Sequence, residues 1–376
     1  MIIHNNRQLQ LNFKGYDAIP LNGLYMQGLQ PNQKGIYDEM SAVAKKESLN
    51  LYLNQDNTNF SKQWNNNPEK TELPLSLWGQ DRKAFITQGK NQVILWDNYE
   101  TVMYPEELGE LGNFDIKPST FFPRGGNYFL GYNSEGQKWM LIAQNTIAQD
   151  NSDFTDPSLN DYIKLARIFD LKKESIFVLD TEERDLDEFI RPIGYPYVLV
   201  NSPNENLKNI EKMKEKFHDS KEIYNKLMAF AMSEQAKAEV CNNLCKKLKE
   251  YGFIPIEIGG RYAPDINFIN AIAFKNKNNK VTYITNSTKD SYPELEYLEQ
   301  LFEQDLRDKT ANIENVYFIS GGKYEISGEK KHNKQTCNYP PTGFINSHNA
   351  MMYCLGAKQG GIHCLTAEIP NFDIIA

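Results

Sequence analysis

The apolar residues of this chain gather into short runs of four or five. They are Gln92-Val-Ile-Leu-Trp96, Tyr128-Phe-Leu-Gly-Tyr132, Trp139-Met-Leu-Ile142, Ser175–Leu179, Tyr197-Val-Leu-Val200, Ile254–Ile258, Ala271–Phe274, Val281–Ile284 and Val316–Ile319. Runs of this length, bounded by Gly, Asn and Asp, predict strands. The turn Asn133-Ser-Glu-Gly136 between two of them predicts a β-hairpin. Helical spacing appears instead over Ile36–Ser48, Asp161–Phe169 and Pro293–Arg307. It also runs through residues 206–251, where Leu207, Ile210, Met213 and Phe217, then Ile223, Leu227 and Phe230, then Val240, Leu244, Leu248 and Tyr251 fall on successive stripes. That stretch predicts two or three amphipathic helices, ended by Gly252.

Short strands alternating with helices over about 300 residues define an α/β chain. No interior segment rich in Pro, Gly or Ser divides it, so the expectation is one large domain with decorations. Residues 1–72 are rich in Asn and Gln, carry a polar run at 54–71, and are set apart as an N-terminal extension. Residues 73–376 form the main domain, with a helical insertion at about 206–251. Residues 104–119 are acidic and read as loop.

The formal net charge of -8 argues against a phosphate-binding surface, so nucleic acid is not an expected partner, and it suits an acidic pocket for a cationic ligand. No run of about 18 apolar residues marks a membrane span, and the first residues show no signal-peptide pattern. A cytoplasmic protein without a membrane partner is therefore expected. Five cysteines scattered over 376 residues fit a reducing compartment rather than a disulfide framework. Cys241 and Cys245 share a helix face with no second ligand pair nearby, and they read as core, with no metal or other cofactor expected.

Three positions beside turn residues carry candidate chemistry: Asp81 in Trp-Gly-Gln-Asp, Asp187 in Asp-Leu-Asp-Glu-Phe, and Cys364 in Gly360-Gly-Ile-His-Cys-Leu-Thr366. Two carboxylates facing one pocket match the planar N–H fork of a guanidinium, and a thiolate beside them is placed to attack its carbon. Taken singly, a carboxylate in such a place is more often a solvated turn residue or a cap, and a free cysteine such as Cys364 more often a small buried hydrophobe.

Together and in this order these stretches resemble the guanidino-group-modifying, or pentein, superfamily. Leu77-Trp-Gly-Gln-Asp81 is similar to the segment whose aspartate grips the substrate guanidinium in peptidylarginine deiminases. Arg124-Gly-Gly-Asn127, followed by Gly131 and Gly136, resembles the family's glycine-pair hairpin. Arg184-Asp-Leu-Asp-Glu-Phe189 resembles its glycine-histidine-x-aspartate-glutamate-phenylalanine motif, which puts Asp187 on the second guanidinium-binding aspartate. Phe344-Ile-Asn346 and Gly361-Ile-His-Cys-Leu-Thr366 resemble the end of the catalytic domain, where the cysteine is the nucleophile. The resemblance spans residues 73 to about 370 and implies an α/β propeller of five ββαβ-type units with the active site in its central channel.

One motif departs from the pattern. Where the family has a histidine that handles protons, this chain has Asp185, and neither His218, His332 nor His363 takes its place by spacing. Crowding with Asp187, Asp81 and Glu188 would let Asp185 hold a proton near neutrality and serve as the proton carrier. Such a protein would be a modified deiminase or an amidino-group transferase. Loss of the histidine would otherwise leave a silent pentein that binds a guanidino ligand or an arginine-bearing partner. Arg124 precedes the glycine pair where small-substrate relatives commonly have an acid. The resemblance assigns it to a substrate carboxylate or peptide carbonyl, beside the simpler reading of a surface ion pair. The expected substrate is a guanidino small molecule or a protein arginine; the oligomeric state is left open.

Overall fold

The computed structural model describes residues 18–26, 34–53, 83–88, 90–97, 115–119, 125–144, 159–179, 186–217, 221–264, 266–289, 293–322, 362 and 366–371. In chain order the first elements are β1 (Leu21–Met26), α1 (Lys34–Glu47), β2 (Asn50–Leu53), β3 (Lys83–Gln88), β4 (Asn91–Asp97) and β5 (Asp115–Ser119). Then come β6 (Tyr128–Tyr132), β7 (Lys138–Ala143), α2 (Leu159–Phe169), β8 (Ile176–Leu179), β9 (Ile190–Pro192) and β10 (Tyr197–Asn201). Helices α3 (Pro203–Lys212), α4 (Lys221–Glu234) and α5 (Ala238–Glu250) precede β11 (Ile254–Ile258), β12 (Arg261–Ala263) and β13 (Ile266–Asn267). The chain continues with β14 (Ile272–Lys275), β15 (Val281–Asn286), α6 (Glu296–Lys309), β16 (Ile313–Ile319) and β17 (Thr366–Pro370).

One assembly rule recurs five times. Two strands pair antiparallel, and a third joins the second in parallel: β3-β4-β5, β6-β7-β8, β9-β10-β11, β14-β15-β16 and β17-β1-β2. A short connection makes the antiparallel step in four of the five, the β17–β1 pair excepted, whereas a parallel step needs a crossover, among the described residues α1, α2, α3 to α5, or α6. The short pair β12–β13 lies between the third and fourth of these chain segments. The middle strands read as nearly continuous apolar runs because both faces are covered, as in β15, where all six residues are buried. This mixed α/β architecture agrees with the fold class expected from the sequence.

The fifth sheet joins the two ends of the chain. β1 runs antiparallel to β17, from Leu21 opposite Pro370 to Met26 opposite Thr366, and parallel to β2. A strand from within residues 1–72, β1, is thus hydrogen-bonded to a strand near residue 370. The segment 104–119, expected to be loop, contains strand β5, which pairs with the apolar run of β4 in spite of its own Asp, Lys and Pro. The polar run 54–71 lies outside the described residues.

Packing follows the predicted helical stripes. Ile36, Met40, Val43 and Ala44 are buried along α1, and the first three pack with Leu24, Met26, Ile272, Phe274 and Ile362. Each such side chain contributes about 1.5–3 kcal/mol through burial. Along α5 the buried stripe is Cys241, Leu244, Cys245 and Leu248, set against Val198, Val200 and Phe253. Both cysteines therefore sit in core, and the Cys241 thiol is pushed up because Cys245 accepts its hydrogen bond and burial disfavours the thiolate. Gly252, at φ +86°, ends this helix in the left-handed conformation. Among the described residues no helix is long and apolar enough to cross a membrane.

Candidate active site

Of the five site residues expected from the sequence, Asp187 lies within the described residues; Asp81, Arg124, Asp185 and Cys364 lie outside them. Asp187 is the middle residue of a single helical turn, Leu186–Glu188, closed by the Phe189 N–H donating to the Leu186 carbonyl at 2.9 Å. Leu186 plugs the turn into the core beside Phe129, Leu179 and Ile190. That anchor explains why so charged a segment is fully buried, with Asp187 at 0 % exposure and Glu188 at 4 %.

The Asp187 carboxylate meets the second motif directly. A Cβ on Gly126 would stand 3.0 Å from Asp187 Oδ1 and 3.3 Å from its Cγ, so the second glycine of the pair is needed for close approach. Asn270 Nδ2 donates to Asp187 Oδ2 at 2.8 Å. Beside them Asn127 is 1 % exposed, and its Oδ1 has no hydrogen-bond partner among the described residues. The turns that follow Arg124 and Asp185 in sequence are thus packed against each other.

The Glu188 carboxylate lies 3.3 Å from Arg261, which also holds Glu234 at 2.9 Å and stacks over the Phe189 ring at 4.8 Å. Arg261 lies one strand beyond the helical insertion, a distance in sequence that no local motif spans. Glu188 is therefore committed to a buried ion cluster.

A chain of buried amides links the Asp187 turn to the segment that precedes Cys364. Asn267 Nδ2 donates to the Glu188 carbonyl at 3.3 Å, and the Asn267 carbonyl accepts from Asn286 Nδ2 at 2.6 Å. Asn286 Oδ1 in turn accepts from the Ile362 N–H at 2.9 Å. A second link runs through Arg191, 1 % exposed on β9, whose Nη2 donates to Glu368 on β17 at 2.6 Å. Burial pushes the Glu368 carboxyl above its usual value, against the opposing pull of the Arg191 charge. Arg191 Nε and Nη1 are buried with no hydrogen-bond acceptor among the described residues, and the guanidinium lies 5.4 Å over the Phe129 ring.

Sequence reasoning missed Asn267, Asn270, Asn286, Arg191, Arg261 and Glu368. A signal existed for some of them. An amide placed inside an apolar run, as in Ile266-Asn-Phe-Ile-Asn270 and Tyr283-Ile-Thr-Asn286, or an arginine in Ile190-Arg-Pro-Ile193, must find a partner when it is buried.

Among the described residues no group of three or more His, Cys, Asp or Glu side chains is arranged to hold a metal ion. No family model matches the chain, and no curated protein matches it in sequence. Solved structures do match. The agmatine deiminase of C. jejuni is 15 % identical with a TM-score of 0.52, over 94 % of this chain and 95 % of its own. The agmatine deiminase of Enterococcus faecalis is 11 % identical with a TM-score of 0.51, over 94 % of each chain. A candidate peptidyl-arginine deiminase is 12 % identical with a TM-score of 0.52, over 96 % of this chain and 100 % of its own. At this level of identity the likeness is one of fold, and the chain shares the fold of these deiminase structures.

Proposed function

We propose that this chain is a cysteine-dependent hydrolase of the deiminase type acting on a guanidinium group. The observation that carries the reading is the Asp187 carboxylate, wholly buried, oriented by Asn270 and faced by Gly126, in a chain with the fold of the agmatine deiminases. A fixed carboxylate in a water-poor setting is a strong partner for a guanidinium. In this reading the five three-stranded units surround a central axis, and the site lies in the channel along it.

Asp81 and Asp187 accept the guanidinium N–H groups and hold its plane. The Cys364 thiolate adds to the guanidinium carbon to give a tetrahedral adduct. The C–N bond then breaks, and ammonia leaves with a proton delivered by Asp185. Water gives one proton back to Asp185 as it attacks the amidino-thioether carbon, and collapse of the adduct, its hydroxyl proton passing through solvent to the departed ammonia, releases a ureido product and the thiolate. Arg124 binds a carboxylate or carbonyl of the substrate, which is a free guanidino metabolite or an arginine side chain. With a thiolate nucleophile and buried free thiols at Cys241 and Cys245, the enzyme suits a reducing compartment such as the cytoplasm.

Asp185 itself favours a second reading. An ordinary aspartate is ionised at neutral pH and is a far weaker base than a histidine, so the same pocket would serve a silent guanidino-binding protein. The full chain incubated with agmatine, arginine and arginine peptides is expected to release ammonia and a ureido product in equal amounts. It should also be alkylated at Cys364 by 2-chloroacetamidine. Neither turnover nor alkylation would leave only the binding reading. Amidine transfer to an added amine without ammonia release would identify an amidinotransferase. The variant Asp185→His is expected to raise deiminase turnover if only the proton carrier differs.

A further inference from the structure

Cys364 lies, in sequence, between two points that the structure anchors. On one side is Ile362, whose side chain is fully buried with Ile284 and Ile319 and whose N–H is taken by Asn286 Oδ1. On the other is Glu368, taken by Arg191. Both anchors lead back to one short piece of chain. Asn286 reaches the Glu188 carbonyl through Asn267, and Arg191 is four residues after Asp187 on the strand that follows its turn.

We propose that Asn286 and the Arg191–Glu368 pair are positioning residues: a two-point clamp that ties Ile362 and Glu368, which flank Cys364 in sequence, to the turn of Asp187 and the strand that follows it. The relevance of the clamp to catalysis rests on the function proposed above; its existence as a mechanical link does not. Its chemistry suits the task. The Asn286 carboxamide uses its donor on one segment and its acceptor on the other, so both must keep their spacing for both bonds to survive. The Arg191–Glu368 bond is charge-assisted and directional, and Arg191, 1 % exposed, has little access to water that could replace its partner. A buried ion pair adds little net stability over apolar side chains of similar size, so a contribution to geometry is separable by replacing both partners together.

The experiment uses two independent variants of the full chain, Asn286→Leu and the double variant Arg191→Met with Glu368→Leu. Amide hydrogen exchange is followed over residues 360–370, with helix α5 as the control for general loosening. Exchange over 360–370 is expected to quicken about tenfold in each variant while α5 is unchanged. The kcat for a guanidino substrate should fall about 30-fold, with KM moving by less than about threefold. If Asn286→Leu does not fold, Asn286→Asp takes its place, keeping the acceptor for Ile362 but not the donor to Asn267. Unchanged exchange over 360–370 in both variants overturns the clamp. So does an equal rise over α5, or an undiminished kcat. If the unaltered protein turns over no guanidino compound, the proposed function falls, and the exchange result alone decides the clamp.

Discussion

The parallel pairs β10–β11 and β15–β16 differ in how the chain crosses from one strand to the next. Helix α6 alone joins β15 to β16; it buries Leu298, Phe302 and Leu306 and so serves mainly the apolar core. Three helices join β10 to β11, and two of them present polar groups inward. Asn206 and Asn209 on α3 reach the Gly260 N–H at 2.8 Å and the Tyr262 hydroxyl at 3.0 Å, while Glu234 on α4 takes Arg261. Because Arg261 also holds Glu188, the longer crossover supports the turn that carries Asp187. Helix α4 is thereby tied to the turn that carries Asp187.

The largest test of that contrast is Arg261→Met. It leaves the Glu188 and Glu234 carboxylates, 4 % and 7 % exposed, without their shared counter-charge. Denaturant unfolding is expected to show a loss of about 3–5 kcal/mol. A loss below about 1 kcal/mol, the range of an exposed ion pair, would mean that the crossover does not support the turn.

A smaller effect is expected for Gly126→Ala, which presses a methyl group against the Asp187 carboxylate from the opposite side. Overpacking of this kind costs about 1–3 kcal/mol. Turnover of a guanidino substrate should fall more than stability does, since the displaced group is the proposed ligand for the substrate. Equal kcat/KM in variant and unaltered protein would remove Asp187 from the site.

The smallest effect belongs to the single-helix crossover. Glu299 on α6 accepts hydrogen bonds from the Ser287 and Thr288 hydroxyls at 2.7 and 2.8 Å, yet burial still raises its carboxyl above the usual value. A carboxyl raised on folding contributes stability that is complete below its unfolded pKa of about 4.3 and is lost as pH rises through the folded value. Glu299→Gln, which keeps an acceptor and never ionises, should therefore gain on the unaltered protein between pH 4 and pH 7. Parallel unfolding curves at both pH values check this, and a stability of the variant minus that of the unaltered protein that falls from pH 4 to pH 7 would refute it.

Much of the architecture was legible in the sequence because the middle strands carry it. Trp139-Met-Leu-Ile, Val198-Leu-Val and Val281-Thr-Tyr-Ile announce themselves as apolar runs because they are buried on both faces. β1 did not, since Leu21-Asn-Gly-Leu-Tyr-Met26 interrupts its run with Asn and Gly and takes β17 from the far end of the chain. The short strand β9, with an arginine at its centre, escaped for a similar reason. In the site, the Asp187 motif was visible as a local pattern. The partners that orient and support it, Asn270, Asn267 and Arg261, were not, because contacts across some 70 to 80 residues leave no periodicity to read.

The sheet made from both ends of the chain has a consequence for the order in which the protein can assemble. During synthesis β1 emerges early and pairs with β2 after a single helix, but its other edge has no antiparallel partner until residues 366–370 are made. An exposed strand edge of that kind invites wrong pairing for as long as it waits. The strand that fills it is also the one that brings Glu368 to Arg191. Completion of this sheet and the meeting of Glu368 with Arg191 are thus one late event, so a chain made only as far as residue 365 has neither.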